Sequence, residues 1–186
     1  LSAGSDSTAA FVRQFVEHRK MPTLLDADAL TLMSPFRDIP ASEYPLVATP
    51  HEGEFRKMLG TDDKLGVIDR VRAVREFAVK HKLILVLKGE RVLIGGPDGR
   101  VVINPTGNSG LGKAGNGDTM TGLLAGFLAQ AAKLKIDIFD TVVAAVYIAG
   151  TAGDVAERRF GKRVMTASDV RECFAEVFRE LEGAEK

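Results

Sequence analysis

The sequence predicts an α/β fold in which a mostly parallel sheet is covered by helices. Three observations carry that expectation. Short apolar runs alternate with amphipathic helical stretches along the first half of the chain. The run Leu83–Leu87 is apolar throughout, the mark of a strand buried on both faces of a parallel sheet. With 186 residues and 45% apolar content, the chain has enough material for one domain with a real core.

The elements follow in order. Ser7–Arg19 places Ala10, Phe11, Phe15 and Val16 at helical spacing behind the capping candidates Asp6 and Ser7. Thr23-Leu24-Leu25 is a short strand ending at Asp26, and Leu46-Val47-Ala48 another ending at Thr49-Pro50. Between them, the Pro/Ser region at Ser34–Ala41 reads as a loop. Val67–His81 is an amphipathic helix with Ile68, Val71, Val74, Phe77 and Ala78 on one face. Strands at Arg91–Ile94 and Arg100–Ile103 flank Gly95-Gly96-Pro97-Asp98-Gly99, which is hairpin-turn chemistry. After a glycine-rich loop, Asp118–Ala132, Ile136–Ala156 and Ser168–Leu181 read as helices.

Composition narrows the function classes. Twenty-five basic residues balance 25 acidic ones, which argues against a strongly basic nucleic-acid binder and an acidic disordered tail. The uncharged stretches Thr119–Ala132 and Thr141–Gly153 are short and rich in Gly and Thr, so no membrane span is expected. The single Cys173 makes a reducing, cytoplasmic compartment the default. Lys162-Arg163 beside Arg158-Arg159 reads as a solvated basic surface. The chain starts at Leu1 without an initiator Met, in a stretch that reads as the end of a loop. The expectation is therefore processing, or a portion of something longer.

The densest signal is the segment Asn104–Asp118. Gly107, Gly110, Gly112, Gly115 and Gly117 fall within eleven positions and run into a helix. Such glycines let backbone N–H groups converge, and a helix N-terminus adds positive potential, so the loop can hold an anion. The alternative is a structural loop. Asp118 is either the N-cap of that helix or a base placed to deprotonate a hydroxyl that attacks phosphate. Gly107–Ala114 nearly matches the P-loop pattern, but Ala114 stands where a Mg²⁺-binding hydroxyl is needed.

Other polar groups follow strand ends, where ligands sit in open α/β sheets. His51, Glu52 and Glu54 in Thr49–Phe55 are weak evidence for a Zn²⁺ site. They fit a loop that caps the next helix, or else a mouth where His51 touches substrate and Glu54 supports Mg²⁺ through water. Lys88-Gly89 is either a solvated strand end or a nucleotide contact. Asp26 and Asp28 suit a turn, a cap, or the orientation of a metal-bound water.

Taken in order, LLDADAL (Leu24–Leu30), TPHEGEF (Thr49–Phe55), LKG (Leu87–Gly89), PDGRVVINPTGN (Pro97–Asn108) and GNGDTMTGLLAGFLAQ (Gly115–Gln130) resemble the ADP-dependent NAD(P)H-hydrate dehydratase family of the ribokinase-like superfamily. The resemblance implies a three-layer α/β/α ribokinase-like fold, with residues 1–186 forming the C-terminal part of a longer catalytic domain whose first βα units precede Leu1. An upstream segment or chain would then complete the domain, and this chain would show an open sheet edge and half a site. It further implies repair of hydrated NAD(P)H. ADP phosphorylates the ring hydroxyl, Mg²⁺ assists, and phosphate elimination gives NAD(P)H, AMP and phosphate. By position, Asp118 is the implied base contacting the hydrated ring, and Gly115, Asn116 and Gly117 the implied anion hole. Lys88, Gly89, Glu90, Arg91 and Val92, together with Gly117, are implied to bind the nucleotide. His51 and Asn108 are implied to touch the hydrate, and Glu54 to hold the metal indirectly. The implied assembly is a homo-oligomer, and the partners are small molecules.

Two departures stand out. Lys113-Ala114 add a cation to the cradle, and Val92 replaces a Thr usual in the family. The rival expectations are a ribokinase-like kinase of vitamin precursors and a non-catalytic nucleotide-binding domain.

Overall fold

The computed structural model describes residues 6–37, 39–62 and 67–183; the expectation concerning Leu1 lies outside them. The chain forms two compact units, residues 1–103 and 104–186.

The first unit is built on a five-stranded sheet in the order β1 (Thr23–Leu25), β2 (Leu46–Ala48), β3 (Ile84–Leu87), β4 (Leu93–Gly95) and β5 (Val101–Ile103). β1, β2 and β3 are parallel, with Leu25 beside Ala48 and Ala48 beside Leu85. The Gly96–Gly99 turn makes β4 and β5 an antiparallel hairpin, and β4 also runs against β3. The sheet is therefore mixed, its parallel half formed by β1, β2 and β3. β3 is buried at every position, as its unbroken apolar run requires.

Among the described residues, this unit has the helices α1 (Asp6–Glu17), α2 (Asp28–Met33), α3 (Glu52–Leu59) and α4 (Val67–His81). α1 buries Val12 and Val16, whereas Phe11 and Phe15 are 57% and 54% exposed and stack on each other. Of the expected stripe, Val16 faces inward, whereas Phe11 and Phe15 do not, and Val12 joins Val16 in the core. α1 also ends before Arg19, whose buried guanidinium donates to the Val16 and Tyr44 carbonyls. α4 matches the expected helix and buries Val74, Phe77 and Ala78; the expected place of Ile68 lies outside the described side chains. α3 runs through residues expected to form a loop, with Phe55 and Met58 as its buried face.

The second unit contains a 3-10 turn (Ser109–Leu111), α5 (Asn116–Leu134), α6 (Ile138–Phe160) and α7 (Ala167–Gly183). Ile148, Ala152, Val155 and Ala156 of α6 pack with Val170, Cys173 and Val177 of α7. α6 reaches beyond the expected end and, by length and composition alone, is apolar enough to cross a membrane. Its apolar residues are largely buried, among them Val142, Ala145, Val146 and Ala152. Burial pushes the Cys173 thiol above its ordinary pKa.

Candidate functional site

In the first unit, the ends of β1, β2 and β3 gather Asp26, His51, Glu54 and Lys88. Lys88 N–H donates to the Pro50 carbonyl at 2.8 Å, and His51 bridges Lys88 in parallel register. Lys88 Nζ lies 2.8 Å from Asp26 Oδ1, with only 21% and 12% of the two side chains exposed. Lys88 is therefore not a solvated strand-end charge, and Asp26 orients it. Asp28 stands apart, in the first turn of α2.

His51 caps α3. Its Nδ1 accepts N–H bonds from Gly53 at 3.0 Å and Glu54 at 3.2 Å, and Glu54 Oε2 accepts the His51 N–H at 2.8 Å. This reciprocal capping box satisfies the first amides of a helix that begins at Glu52. It leaves the His51 Nε2 edge on a ring that is 60% exposed. The capping and substrate-contact readings are thus compatible. Glu54 spends one oxygen on the cap, and no cluster of three or more His, Cys, Asp or Glu able to hold a metal occurs among the described residues.

Arg70 lies close over Gly89: a Cβ there would stand 2.7 Å from Arg70 Nη2, the movable end of a long side chain. Arg70 Nη2 also reaches the Arg91 carbonyl at 3.5 Å. Arg70, from α4, thus adds a further cation beside the loop Lys88–Val92 that spacing alone did not reveal. Arg91 and Val92 precede β4 instead of lying in it.

In the second unit, the glycine segment is a fixed loop. Asn108 Oδ1 accepts from Gly110 N–H at 2.9 Å and starts the 3-10 turn. Gly115, at φ +89°, is the N-cap of α5 and lets the chain enter the helix two residues earlier than expected. Asp118 is consequently not the cap. It occupies the third helical position, exposed, behind Gly115, Asn116 and Gly117. The helix start has no side-chain cap; only the Asn116 N–H reaches back, to the Lys113 carbonyl at 3.4 Å. Its first-turn amides and dipole favour an anion. Asn116 itself is 8% exposed, its Nδ2 donating to the Leu111 carbonyl at 3.1 Å and its Oδ1 left unpartnered.

Lys113 does not add a cation to this cradle. Its Nζ donates to the carbonyls of Lys162, Arg163 and Met165 at 2.9, 2.8 and 2.8 Å, using all three ammonium hydrogens. The same geometry disposes of the P-loop resemblance. The neighbouring basic cluster is partly paired, Arg159 with Glu176 and Lys162 with Glu157.

Asp118 opens onto a cleft of about 420 Å³ whose lining includes Thr119, Leu123, Arg171 and Phe174. Arg171, Arg70 and Asp154 are the polar residues that the sequence reading missed. A detectable signal existed for the last: Gly150, Gly153 and Asp154 interrupt an otherwise Ala/Val-rich helix.

A mixed sheet whose parallel strands end in polar residues, and a glycine loop that feeds a helix without a side-chain cap, place the chain among α/β proteins, whose ligands sit at strand ends and helix N-termini. Residues 3–175 match the family model for NAD(P)H-hydrate dehydratase, and the chain belongs to that family. It is 38% identical over 177 residues to the bifunctional NAD(P)H-hydrate repair enzyme of Moorella thermoacetica, covering 95% of this chain and 33% of that protein. It is 33% identical over 174 residues to the ADP-dependent (S)-NAD(P)H-hydrate dehydratase of Bacillus subtilis, covering 92% and 60%. The ADP/ATP-dependent NAD(P)H-hydrate dehydratase structure from Bacillus subtilis, co-crystallised with ATP/Mg²⁺ and soaked with CoA, superposes with a TM-score of 0.79 at 32% identity over 90% of this chain and 60% of that one. A ribokinase-like superfamily protein from Enterococcus faecalis, at 23% identity and TM-score 0.72 over 94% and 59%, shows the ribokinase-like fold alone. The chain thus spans between a third and three-fifths of these proteins.

Proposed function

We propose that this chain carries the nucleotide and phosphoryl-transfer machinery of an ADP-dependent NAD(P)H-hydrate dehydratase. The reaction phosphorylates the ring hydroxyl of the hydrate from ADP and then expels phosphate, leaving NAD(P)H, AMP and phosphate. Phosphorylation converts hydroxide, a poor leaving group, into a good one. The observation that carries the reading is the start of α5. There, the first turn of α5 follows the left-handed Gly115 without a side-chain cap, and Asp118 stands in that turn, next to Gly117.

In this reading Asp118 accepts the hydroxyl proton as the oxygen attacks, and the backbone of Gly115, Asn116 and Gly117 receives charge on the transferred phosphoryl. In the first unit, Lys88, paired with Asp26, and the loop Gly89, Glu90, Arg91 and Val92 bind the nucleotide; in the second, Gly117 is assigned to nucleotide binding as well. The Nε2 edge of His51 contacts the hydrate. Asn108 acts on it through the loop it holds, since its amide is already bonded on both ends. Mg²⁺ would neutralise phosphate charge; the sparse carboxylates suit a cation carried by phosphates, with Glu54 supporting it through water. The share of the relatives covered supports reading residues 1–186 as part of a longer ribokinase-like catalytic domain. A cytoplasmic setting fits the free, buried Cys173.

The test incubates the protein with hydrated NADH or NADPH, Mg²⁺ and either ADP or ATP, following the return of dihydronicotinamide absorbance. Return with ADP, release of AMP, and a loss of about 100-fold or more in Asp118→Asn are expected. Binding of ADP with no turnover assigns the chain to nucleotide binding alone. Return with neither nucleotide, or full rate in Asp118→Ala, overturns the reading or the assigned base respectively.

A further inference from the structure

Asp154 lies on α6, 46 residues from the loop it holds. Its Oδ2 accepts the Gly107 N–H at 2.9 Å, and its Oδ1 accepts Asn108 Nδ2 at 3.0 Å. Asn108 Nδ2 also donates to the Gly153 carbonyl at 2.9 Å, and Thr106 Oγ1 donates to the Tyr147 carbonyl at 2.9 Å. The surface of α6 is cut to receive this loop. A Cβ on Gly150 would stand 2.8 Å from the Thr106 carbonyl carbon, and one on Gly153 would stand 2.6 Å from Leu111 Cδ1. Two glycines thus let the backbone lie against the helix, and one carboxylate fastens it.

The fastening reaches α5 through two further bonds. Asn108 Oδ1 caps the turn at Ser109–Leu111, and the Leu111 carbonyl accepts from Asn116 Nδ2 at 3.1 Å. Asn116 is the first residue of α5, beside Gly117 and Asp118. We infer that Asp154 is a positioning residue: by clamping Gly107 and Asn108 to α6, it sets where the α5 amides and Asp118 stand. The inference deepens the proposed dehydratase reading and rests on it for the identity of the ligand, ADP. A carboxylate suits the role because each of its two oxygens accepts from one donor, whereas an Asn there would turn an NH2 towards one of the two.

The test uses the whole chain carrying Asp154→Asn, Asp154→Ala, Asn108→Asp, or the exchanged pair Asn108→Asp with Asp154→Asn. Two quantities are read, amide hydrogen exchange and ADP affinity by calorimetry. The informative amides are those of Gly107 and of Thr119, which closes the first turn of α5 on the Gly115 carbonyl at 3.0 Å. Both single changes at position 154 are expected to speed exchange at Gly107 and Thr119 and weaken ADP binding, each by about tenfold. The exchanged pair is expected to recover most of both losses, since the new amide at 154 can donate to the new carboxylate at 108. A merely structural helix residue would show no such recovery. Unchanged exchange at Thr119 in Asp154→Asn, or a pair no better than its worse single variant, overturns the inference. If the unaltered chain binds no ADP, the nucleotide reading fails, while exchange at Thr119 judges Asp154 on its own.

Discussion

Lys88 and Asp26 close an ion pair of 2.8 Å across the carboxyl ends of β3 and β1, two strands separated by β2. The pair joins residues 62 apart in sequence and fixes an otherwise flexible ammonium at the mouth of the parallel half-sheet. Because both side chains are mostly shielded, deleting one partner strands a charge. Asp26→Ala is expected to destabilise the protein by about 1–3 kcal/mol in urea titration. Lys88→Met combined with it is expected to cost less than the two single losses added together. In ADP titrations, Lys88→Met is expected to weaken binding by about tenfold, the loss of one charge-assisted contact.

The two roles of His51 separate by substitution. His51→Asn keeps a good N-cap acceptor for Gly53 and Glu54, so the melting temperature is expected to hold close to that of the unaltered protein. His51→Ala removes the acceptor and is expected to cost about 1 kcal/mol. Both variants lose the Nε2 edge. A rise in KM for the hydrate in both, against a stability loss in Ala alone, is the outcome that assigns the imidazole to substrate as well as to the helix.

Much of the framework was legible because it is written in local periodicity. Val67–His81 shows its apolar face directly, and Leu83–Leu87 its burial. α3 was not legible, because its eight residues present only Phe55 and Met58 to the core and open on a motif that also reads as a polar loop. In α1 the spacing identifies Val16 as inward, but it also selects Phe11 and Phe15, which are exposed, and passes over Val12, which is buried. In the candidate site, the glycine density and Asp118 are local signals and could be read. The distant partners of Asn108 and Lys113 lie 45 to 52 residues away, in α6 and the turn after it. No spacing rule reaches that far, which is why Lys113 was placed in the cradle instead of beside the loop at residues 162–165.

Lys113 clamps that loop through three carbonyls, so its removal is a structural change rather than the loss of a phosphate contact. Lys113→Met is expected to lower stability by about 1–3 kcal/mol, measured by thermal or urea unfolding. The salt dependence of ADP binding is expected to stay unchanged. A shallower salt dependence in the variant would put the ammonium on phosphate after all.

The start of α7 carries the acid-sensitive contact. Thr166 Oγ1 and N–H both donate to Asp169 Oδ2 at 2.7 Å, and Asp169 N–H returns a 3.3 Å bond to Thr166 Oγ1. The Thr166 hydroxyl first, and its N–H second, hold the Asp169 carboxyl below its ordinary value of 3.8. A carboxyl depressed in the folded state contributes stability that is present above the unfolded value and lost as pH falls through the folded one. Asp169→Asn is therefore expected to flatten the part of the melting-temperature profile below about pH 3.8 and leave its shape near neutrality intact.

Glycines of α5 and α6 are expected to respond in opposite directions to the same substitution. Gly126 lies inside α5 with nothing within 4 Å of a Cβ placed on it, so alanine there only restricts the unfolded chain and improves helix propensity. Gly126→Ala is expected to raise stability by about 0.5–1 kcal/mol. Gly150 has equally helical surroundings in α6, but its Cβ would collide with Thr106, backbone included. Propensity offers the same gain there and the collision exceeds it, because the loop must leave the helix surface and give up the Thr106, Gly107 and Asn108 bonds together. Gly150→Ala is expected to destabilise by about 1–3 kcal/mol and to weaken ADP binding, whereas Gly126→Ala leaves ADP affinity unchanged. Parallel unfolding and calorimetric titrations of the two variants check this, and a Gly150→Ala protein as stable and as tight-binding as Gly126→Ala would show that close seating of the loop on α6 is not what shapes the anion cradle.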